Sequence, residues 1–435
     1  MEKTKPSIYS QSFTQRNVVR IMGFAVLFGL IKLSGFSAAL LLSNWMSLEY
    51  YATFEFALAA GLLLALPLNV GLQGAYPYFN LRLQKEGFVS LFYFHGLWVG
   101  SILFIVLGIH HWIVPFLSLA NSSSLLIGAI IALQILFSAI LKSHEKIIKA
   151  VVLDGGMFLV LNVYLLYLFA TEGRFEFGAM NGLLMIYLGV LLLLYGQQYL
   201  KYRIDFSTLH YRKALNYGRH LVLSSVLIIA LTNGARLFIA WFIELEQVAY
   251  YAFYLRFALI LLMIQQVFLI SFFKKIYQSP PYLLDQFFAL LSLSLTLMGL
   301  FIWWAVPYFL EGQFSLLAAS IADYRDLFYI LCFHIICWAN LAFNEQIIHR
   351  EKLSIMMNHR LILLLMAMTL MLFIWSTWSI LQIQELAIVN LLILFAAVEI
   401  QFSLLAKQRN FRLRRSRAIL RFSLLFFSLS YLWIV

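Results

Sequence analysis

Charged residues are scarce in this 435-residue chain: Asp, Glu, Lys and Arg make up 11% of it, whereas 63% of its residues are hydrophobic. A soluble domain usually carries about 25% charged residues, because its surface must face water. So small a charged fraction excludes a soluble enzyme, a DNA-binding domain and a disordered protein, and it makes lipid the solvent for most of the chain. Cysteine is equally scarce: Cys332 and Cys337 lie in one apolar stretch, which excludes a disulfide framework.

Long apolar runs are what the sequence has in abundance. About 20 apolar residues suffice for a helix to cross a bilayer, and backbone groups in hydrocarbon must pair within their own segment, so continuous runs predict helices. We therefore predict an all-α integral membrane protein with about twelve transmembrane helices. The predicted spans are 19–43, 52–78, 88–109, 123–141, 149–170, 180–200, 219–242, 249–273, 286–310, 326–348, 360–380 and 386–406.

The basic residues indicate an orientation. With twelve spans, 26 of the 31 Lys and Arg residues fall on one side, and only Arg174 and Arg325 fall on the other. Cytoplasmic loops carry such an excess, so both chain ends are predicted to be cytoplasmic. The net charge of +12 then faces the inner leaflet, and no nucleic acid is needed to explain it. We call the side opposite the basic loops the outer side.

An internal repeat divides the chain. Glu49-Tyr50-Tyr51-Ala52 opens the second span and Ala249-Tyr250-Tyr251-Ala252 opens the eighth, at an offset of 200 residues. Each unit holds six helices, an even number, so the halves are expected to be related by a pseudo-two-fold axis along the membrane normal. The predicted domains are an N-terminal six-helix lobe, 1–205, a C-terminal six-helix lobe, 206–406, and a tail, 407–435.

The tail is ambiguous. Its basic run, Lys407–Arg421, precedes Phe422–Val435, which has only 14 residues. This length is short for a span, so we expect a basic cytoplasmic segment followed by an interfacial helix, with a further span as the alternative.

Two pairs of segments resemble a known family. Ser43–Ala57 with Leu66–Leu72, and in the second half Leu231–Ala240 with Val248–Tyr254, are similar to motifs of Wzx-type bacterial polysaccharide flippases. These flippases are members of the multidrug/oligosaccharidyl-lipid/polysaccharide (MOP) exporter superfamily. The resemblance implies a MATE-like fold with a cleft lined by the first, second, seventh and eighth helices. It also implies a lipid-pyrophosphate-linked oligosaccharide as cargo and the bacterial inner membrane as location.

The sequence also departs from this family. An Asp is frequent there near position 235 and a Gly near position 249, but Ala235 and Ala249 occupy these positions. A role tied to either family residue does not carry over to this chain.

Charges inside the predicted spans are candidate functional residues, because a charge at the bilayer centre costs about 2.5–3.5 kcal/mol. Lys32, Glu55, Arg236 and Arg256 all lie on the helices expected to line the cleft, and Asn233 shares a helix face with Arg236. We predict that these five residues bind the substrate. The alternative is structural, with Arg256 paired to Glu55 across the lobe interface.

Motifs for other chemistry are missing from the sequence. We find no Gly-rich phosphate loop, no metal-spaced His/Cys cluster and no nucleophile elbow, so we expect no catalytic residue, cofactor or metal. The sequence predicts a transporter, not an enzyme: a flippase for polyprenyl-pyrophosphate-linked oligosaccharides in surface polysaccharide biosynthesis, such as that of O-antigen. Its expected partners are the lipid-linked oligosaccharide, membrane lipids and other polysaccharide-assembly proteins. The alternatives are a multidrug/cation antiporter of the same superfamily and a membrane-bound polysaccharide polymerase.

Overall fold

Helices, turns and short connections account for all the residues that the computed structural model describes, which are 15–82, 89–202, 208–310, 323–351, 353–409 and 411–434. Some of the basic residues behind the predicted orientation lie outside these ranges, namely Lys3, Lys5, Lys85, Arg203 and Lys352.

Sixteen α-helices and one π-helical turn, Tyr78–Arg82, form this described part. The helices are α1 (Gln15–Trp45), α2 (Leu48–Leu68), α3 (Leu72–Pro77), α4 (Val89–Trp112), α5 (Leu119–Ser143), α6 (Ile147–Asp154), α7 (Gly156–Thr171), α8 (Phe177–Lys201), α9 (Thr208–Asn233), α10 (Ala235–Phe242), α11 (Gln247–Gln278), α12 (Pro281–Leu310), α13 (Arg325–Arg350), α14 (Ser354–Trp378), α15 (Ile383–Arg409) and α16 (Arg414–Ile434).

The predicted spans agree with these helices. Eleven described helices are long and apolar enough to cross a membrane, and α6 with α7, bent by 55° where they meet, makes a twelfth. Each of the twelve predicted spans overlaps one of these elements. The protein is therefore a multi-pass, all-α membrane protein.

The helices pack in two groups. In the N-terminal group, α2 lies along α5, and α4 packs on α5 and α8. Gly61 of α2 faces Gly128 of α5 so closely that a Cβ at Gly61 would lie 2.9 Å from the Gly128 backbone nitrogen. Small residues let helix backbones approach in this way inside membranes. In the C-terminal group, α13 is the most buried span and contacts α11, α12 and α15.

Breaks interrupt three of the predicted spans. The second span ends as a regular helix just after Pro67, which has no backbone N–H to donate. Val70 and Gly71 follow with φ of 47° and 71°, and α3 then resumes the path. The fifth span breaks at Gly155, and the seventh breaks at Gly234. Sequence analysis treated all three as single helices.

The C-terminal helix α16 extends further than the apolar segment of the tail. It begins at Arg414 within the basic run, has 21 residues, and packs against α12 and α13.

Candidate functional site

A buried ion cluster joins the two groups of helices. Glu55 of α2 accepts a hydrogen bond of 2.8 Å from Arg236 Nη1 of α10 through Oε2. Its other oxygen, Oε1, accepts from Arg256 Nε of α11 at 2.8 Å, and also from Arg256 Nη2. One carboxylate of the first half thus holds two guanidinium groups of the second half. We call Glu55, Arg236 and Arg256 the triad.

The triad lies in the outer half of the membrane-crossing region. At about 1.5 Å of rise per residue, Glu55 is about 10 Å along α2 from its outer end, and Arg256 is about 14 Å along α11. Arg236 is about 9 Å from the outer end of α10. The three side chains reach similar depths from three different helices, which allows them to meet at the seam between the lobes.

The triad is almost dry and carries an excess of positive charge. Glu55 is 0% exposed, and the side chains of Arg236 and Arg256 are 10% and 11% exposed. Two guanidinium groups share one carboxylate, so the cluster carries one more positive than negative charge. In addition, Arg236 Nε has no hydrogen-bond partner among the described residues. Buried charges are normally paired, so this arrangement leaves capacity for an anion.

Neighbouring side chains hold the triad in place. Asn233 Oδ1, three residues before Arg236, accepts a bond of 3.0 Å from Arg236 Nη2. Tyr51 and Tyr251, which are equivalent in the internal repeat, are each 1% exposed. Tyr51 lies close to Glu55 and Arg256, and Tyr251 lies close to Arg236. Neither tyrosine hydroxyl has a hydrogen-bond partner among the described residues. Each half therefore contributes the second Tyr of its Tyr-Tyr pair to the surroundings of the triad.

The structure brings four of the five predicted site residues together, and Lys32 lies apart. Lys32 is half-buried near mid-length of α1, with its Nζ 5.6 Å from the centre of the Phe28 ring. The charged groups that act on it are Asp154 and Lys142, which form an ion pair of 2.8 Å with each other. Sequence analysis placed Lys32 and Arg236 on helices expected to line the cleft and predicted that both bind the substrate, whereas Arg236 is paired with Glu55. The pairing of Arg256 with Glu55 is the structural alternative given above.

A second contact between the lobes lies towards the inner side. His95 Nδ1 of α4 and the Tyr211 hydroxyl of α9 are 2.6 Å apart, and the rings of Tyr78 and Tyr217 stack with centroids 4.4 Å apart. Between this contact and the triad, the backbone of Gly71 touches α9, where a Cβ would collide with the carbonyl oxygen of Gly218. On the side of α2 and α9, the seam between the lobes is therefore closed at two levels: by the triad towards the outer side, and by these contacts towards the inner side.

Between α1 and α11 the lobes meet at mid-depth. Phe36 contacts Phe257 edge to face, with ring centroids 5.8 Å apart. Around its mid-length, α1 exposes Val26, Leu30 and Leu33, which are 54–62% exposed. This middle part of α1 is thus an accessible surface, and it carries Lys32.

A cavity of ≈ 590 Å³ opens at the outer ends of the C-terminal lobe. It lies where α10 ends and α11 begins, beyond Arg236, and its other wall is the connection from α14 to α15. Trp378, on that wall, is 86% exposed. The residues that line this cavity are Phe242, Ile243, Glu244, Gln247, Ser376, Thr377, Trp378, Ser379, Ile380 and Leu381.

Sequence reasoning missed the roles of Tyr51 and Tyr251. A Tyr-Tyr pair at the start of a span is typical of the membrane interface, and Tyr50, which is 42% exposed, fits that position. Tyr51 and Tyr251 do not fit it, because they are buried beside the triad. Helical spacing identifies Tyr51, which precedes Glu55 by four residues and so lies on the same helix face, and the internal repeat makes Tyr251 its equivalent.

Comparisons with known proteins agree with this architecture. No family model matches the sequence, and no curated protein matches it. The fold is similar to a solved structure of the inward-facing conformation of a multidrug resistance MATE family transporter of the MOP superfamily. The TM-score is 0.53 at 14% sequence identity, over 90% of this chain and 96% of the other. The chain therefore has a MATE-like, all-α fold.

Proposed function

We propose that the protein is a flippase that moves a polyprenyl-pyrophosphate-linked oligosaccharide from the inner to the outer leaflet of the bacterial inner membrane. The observation that carries this proposal is the excess positive charge of the buried triad at the seam between the lobes. A diphosphate is the anionic part of such a cargo, and guanidinium groups bind phosphate oxygens in bidentate geometry.

The division of the triad between the lobes suggests how cargo and movement are coupled. Glu55 belongs to the N-terminal lobe, and both arginines belong to the C-terminal lobe. When the lobes part at the outer side, Arg236 and Arg256 lose their carboxylate. A buried charge that loses its partner costs about 3–5 kcal/mol, so the opening is unfavourable unless another anion arrives. The diphosphate takes the place of Glu55, and the outer side opens with cargo present.

Lys32 has a separate role in this proposal. It lies near mid-length of α1, about 20 Å from the outer end of the helix and deeper than the triad, so a headgroup from the inner leaflet reaches it first. We assign it to the initial attraction of the diphosphate, and the triad to the later step. The lipid tail stays in the bilayer while the headgroup crosses between the lobes.

The triad also argues against the alternative function, a multidrug/cation antiporter. A cation exporter needs an accessible carboxylate, and Glu55 is fully buried and bound by two arginines. This arrangement favours an anionic cargo.

The test is a deletion strain complemented with Arg236→Ala or Arg256→Ala. Both variants are expected to lose surface glycan and to accumulate lipid-linked oligosaccharide on the inner leaflet, at normal abundance in the membrane. Arg325→Ala is the matched control, because Arg325 is an exposed arginine at the outer end of α13 that packs over Trp303. Normal glycan export in the Arg236 and Arg256 variants would overturn the proposal.

Two further outcomes also contradict it. Increased drug susceptibility with unchanged glycan export in the deletion strain identifies an antiporter. Single lipid-linked repeat units that accumulate on the outer leaflet identify a polymerase.

A further inference from the structure

Helix α16 follows the two six-helix lobes, and its inner end is fixed to α12. The carboxylate of Asp285, four residues into α12, accepts hydrogen bonds from the backbone N–H groups of Arg415 at 3.0 Å and Ser416 at 2.9 Å. The Ser416 hydroxyl donates to the same carboxylate at 2.9 Å. A carboxylate at this position satisfies the free N–H groups of a first helical turn and favours the helix dipole. Asp285 thus caps α16 from a neighbouring helix.

Contacts continue along the rest of α16. At mid-length the hydroxyls of Ser423 and Thr296 of α12 are 3.1 Å apart. One turn further, the Phe427 ring stacks on Tyr329 of α13, with centroids 4.6 Å apart. Near the end, the hydroxyl of Ser430 lies 2.6 Å from that of Tyr329. Tyr329 is four residues from the outer end of α13, so the last contact lies near the outer side.

These contacts show that α16 runs beside α12 through most of the membrane. From Ser416 to Ser430 a helix rises about 21 Å, against a hydrocarbon core of about 30 Å. On α12, the candidate span Pro281–Tyr308 covers the same path from the inner to the outer side. A helix lying in the interface would meet α12 at one level only. Contacts at two levels of α12, and at a third level with Tyr329 of α13, require a helix that stands upright beside α12.

Charge and surface pattern agree with that position. The arginines of α16 are confined to its first eight residues, and Arg417 and Arg421 both bind Glu399 of α15. Beyond them, the side away from the bundle is apolar, as expected for a lipid-facing surface. Its exposed large hydrophobic residues are Phe422, Leu425, Phe426, Leu429 and Leu432.

We propose that α16 is a thirteenth membrane-crossing helix, which brings the C-terminal end of that helix to the outer side. The sequence alone predicted an interfacial helix and a cytoplasmic end, because the apolar segment has only 14 residues. The structure extends the helix back to Arg414, and of its four arginines, Arg417 and Arg421 pair with Glu399. Twenty-one residues give a helix of about 31 Å, long enough to cross.

Cysteine labelling in intact cells tests the sidedness. A short Gly-Ser linker that ends in one Cys is added after Val435, and a membrane-impermeant maleimide is applied before and after lysis. The native chain is the blank, because its two cysteines, Cys332 and Cys337, are buried. Arg174→Cys reports the outer side and Lys146→Cys the inner side, since both positions are exposed in loops.

We expect the added Cys to be labelled in intact cells at the rate of Arg174→Cys, at least ten-fold faster than Lys146→Cys. Labelling only after lysis, as for Lys146→Cys, would overturn the proposal.

Disulfide cross-linking tests the upright packing independently. Thr296→Cys with Ser423→Cys, in a chain with Cys332→Ala because Cys332 lies near Thr296, is expected to form a disulfide under mild oxidation. Thr296→Cys with Ser428→Cys is the matched control, because Ser428 is exposed on α16. Equal cross-linking in the two pairs, or none in the first, would contradict an α16 that lies along α12.

Discussion

Replacing Glu55 with Gln isolates the charge of the triad, because the side chain keeps its size and loses its carboxylate. In the native chain Glu55 binds Arg236 and Arg256 with no exposure to solvent. Breaking a buried pair by removing one partner costs about 3–5 kcal/mol, since the other charge stays buried and uncompensated. At 1.4 kcal/mol per tenfold change, the closed outer seam becomes less favoured by about two to three orders of magnitude.

Accessibility of a cysteine at the seam measures this change. Ala52 is fully buried and lies one turn from Glu55 towards the outer end of α2, so Ala52→Cys reacts with an impermeant maleimide only when the seam parts. We expect labelling to be at least a hundredfold faster with Glu55→Gln than with the native Glu55. Glu49→Gln is the matched control, since Glu49 is exposed in the first turn of the same helix.

Two further variants distinguish the loss of the ion pairs from a general loss of folding as the cause of faster labelling. Glu55→Asp keeps the charge and is expected to label slowly. Glu55→Arg combined with Arg256→Glu restores one carboxylate between two guanidinium groups and is expected to recover slow labelling. Equal labelling rates for Glu55→Gln and Glu49→Gln would refute the view that the triad closes the outer side.

Two other predictions concern the inner contact between the lobes. Gly71→Ala forces a Cβ onto a residue with φ of 71° and against the Gly218 carbonyl, so we expect it to lower the thermal stability of the purified protein by more than about 1 kcal/mol. Gly182→Ala, with open space around its Cβ, is its control, and equal melting temperatures would contradict the packing. Tyr211→Phe removes the hydroxyl that binds His95 and is expected to cost about 0.5–1.5 kcal/mol in a chemical unfolding experiment; an unchanged midpoint would show that this bond does not stabilise the lobes.

Hydropathy was sufficient to place the twelve spans, because the cost of leaving backbone groups unpaired in lipid gives a strong and local signal. The breaks at Gly155 and Gly234 were not predicted, although each contains a glycine. A glycine lowers helix stability by about 1 kcal/mol. Packing against neighbouring helices contributes more than this, and it can either preserve the helix at a glycine or break it there. Tertiary packing therefore decides whether a particular glycine interrupts a span.

The sequence revealed which charged residues form the site and which helices carry them. Glu55, Arg236 and Arg256 were predicted because they are charged residues inside apolar spans, and the pairing of Arg256 with Glu55 was one stated alternative. Whether Arg236 also reaches the Glu55 carboxylate depends on how α10 is rotated relative to α2. A sequence pattern within either helix does not predict this rotation. Lys32 shows the same limit, because the helix face that carries it lies near Asp154 of α6.

The bare backbone contact between Gly71 and Gly218 has a mechanical consequence. With no side chain between the two main chains, one lobe can tilt on the other there without first moving a bulky group aside. Glu55 lies about 24 Å along α2 from this point. A tilt of about 15°, the size of a known subunit rotation, displaces the carboxylate by about 6 Å. That is twice the length of the bonds that hold it, so a small tilt about this fulcrum is enough to pull both arginines away.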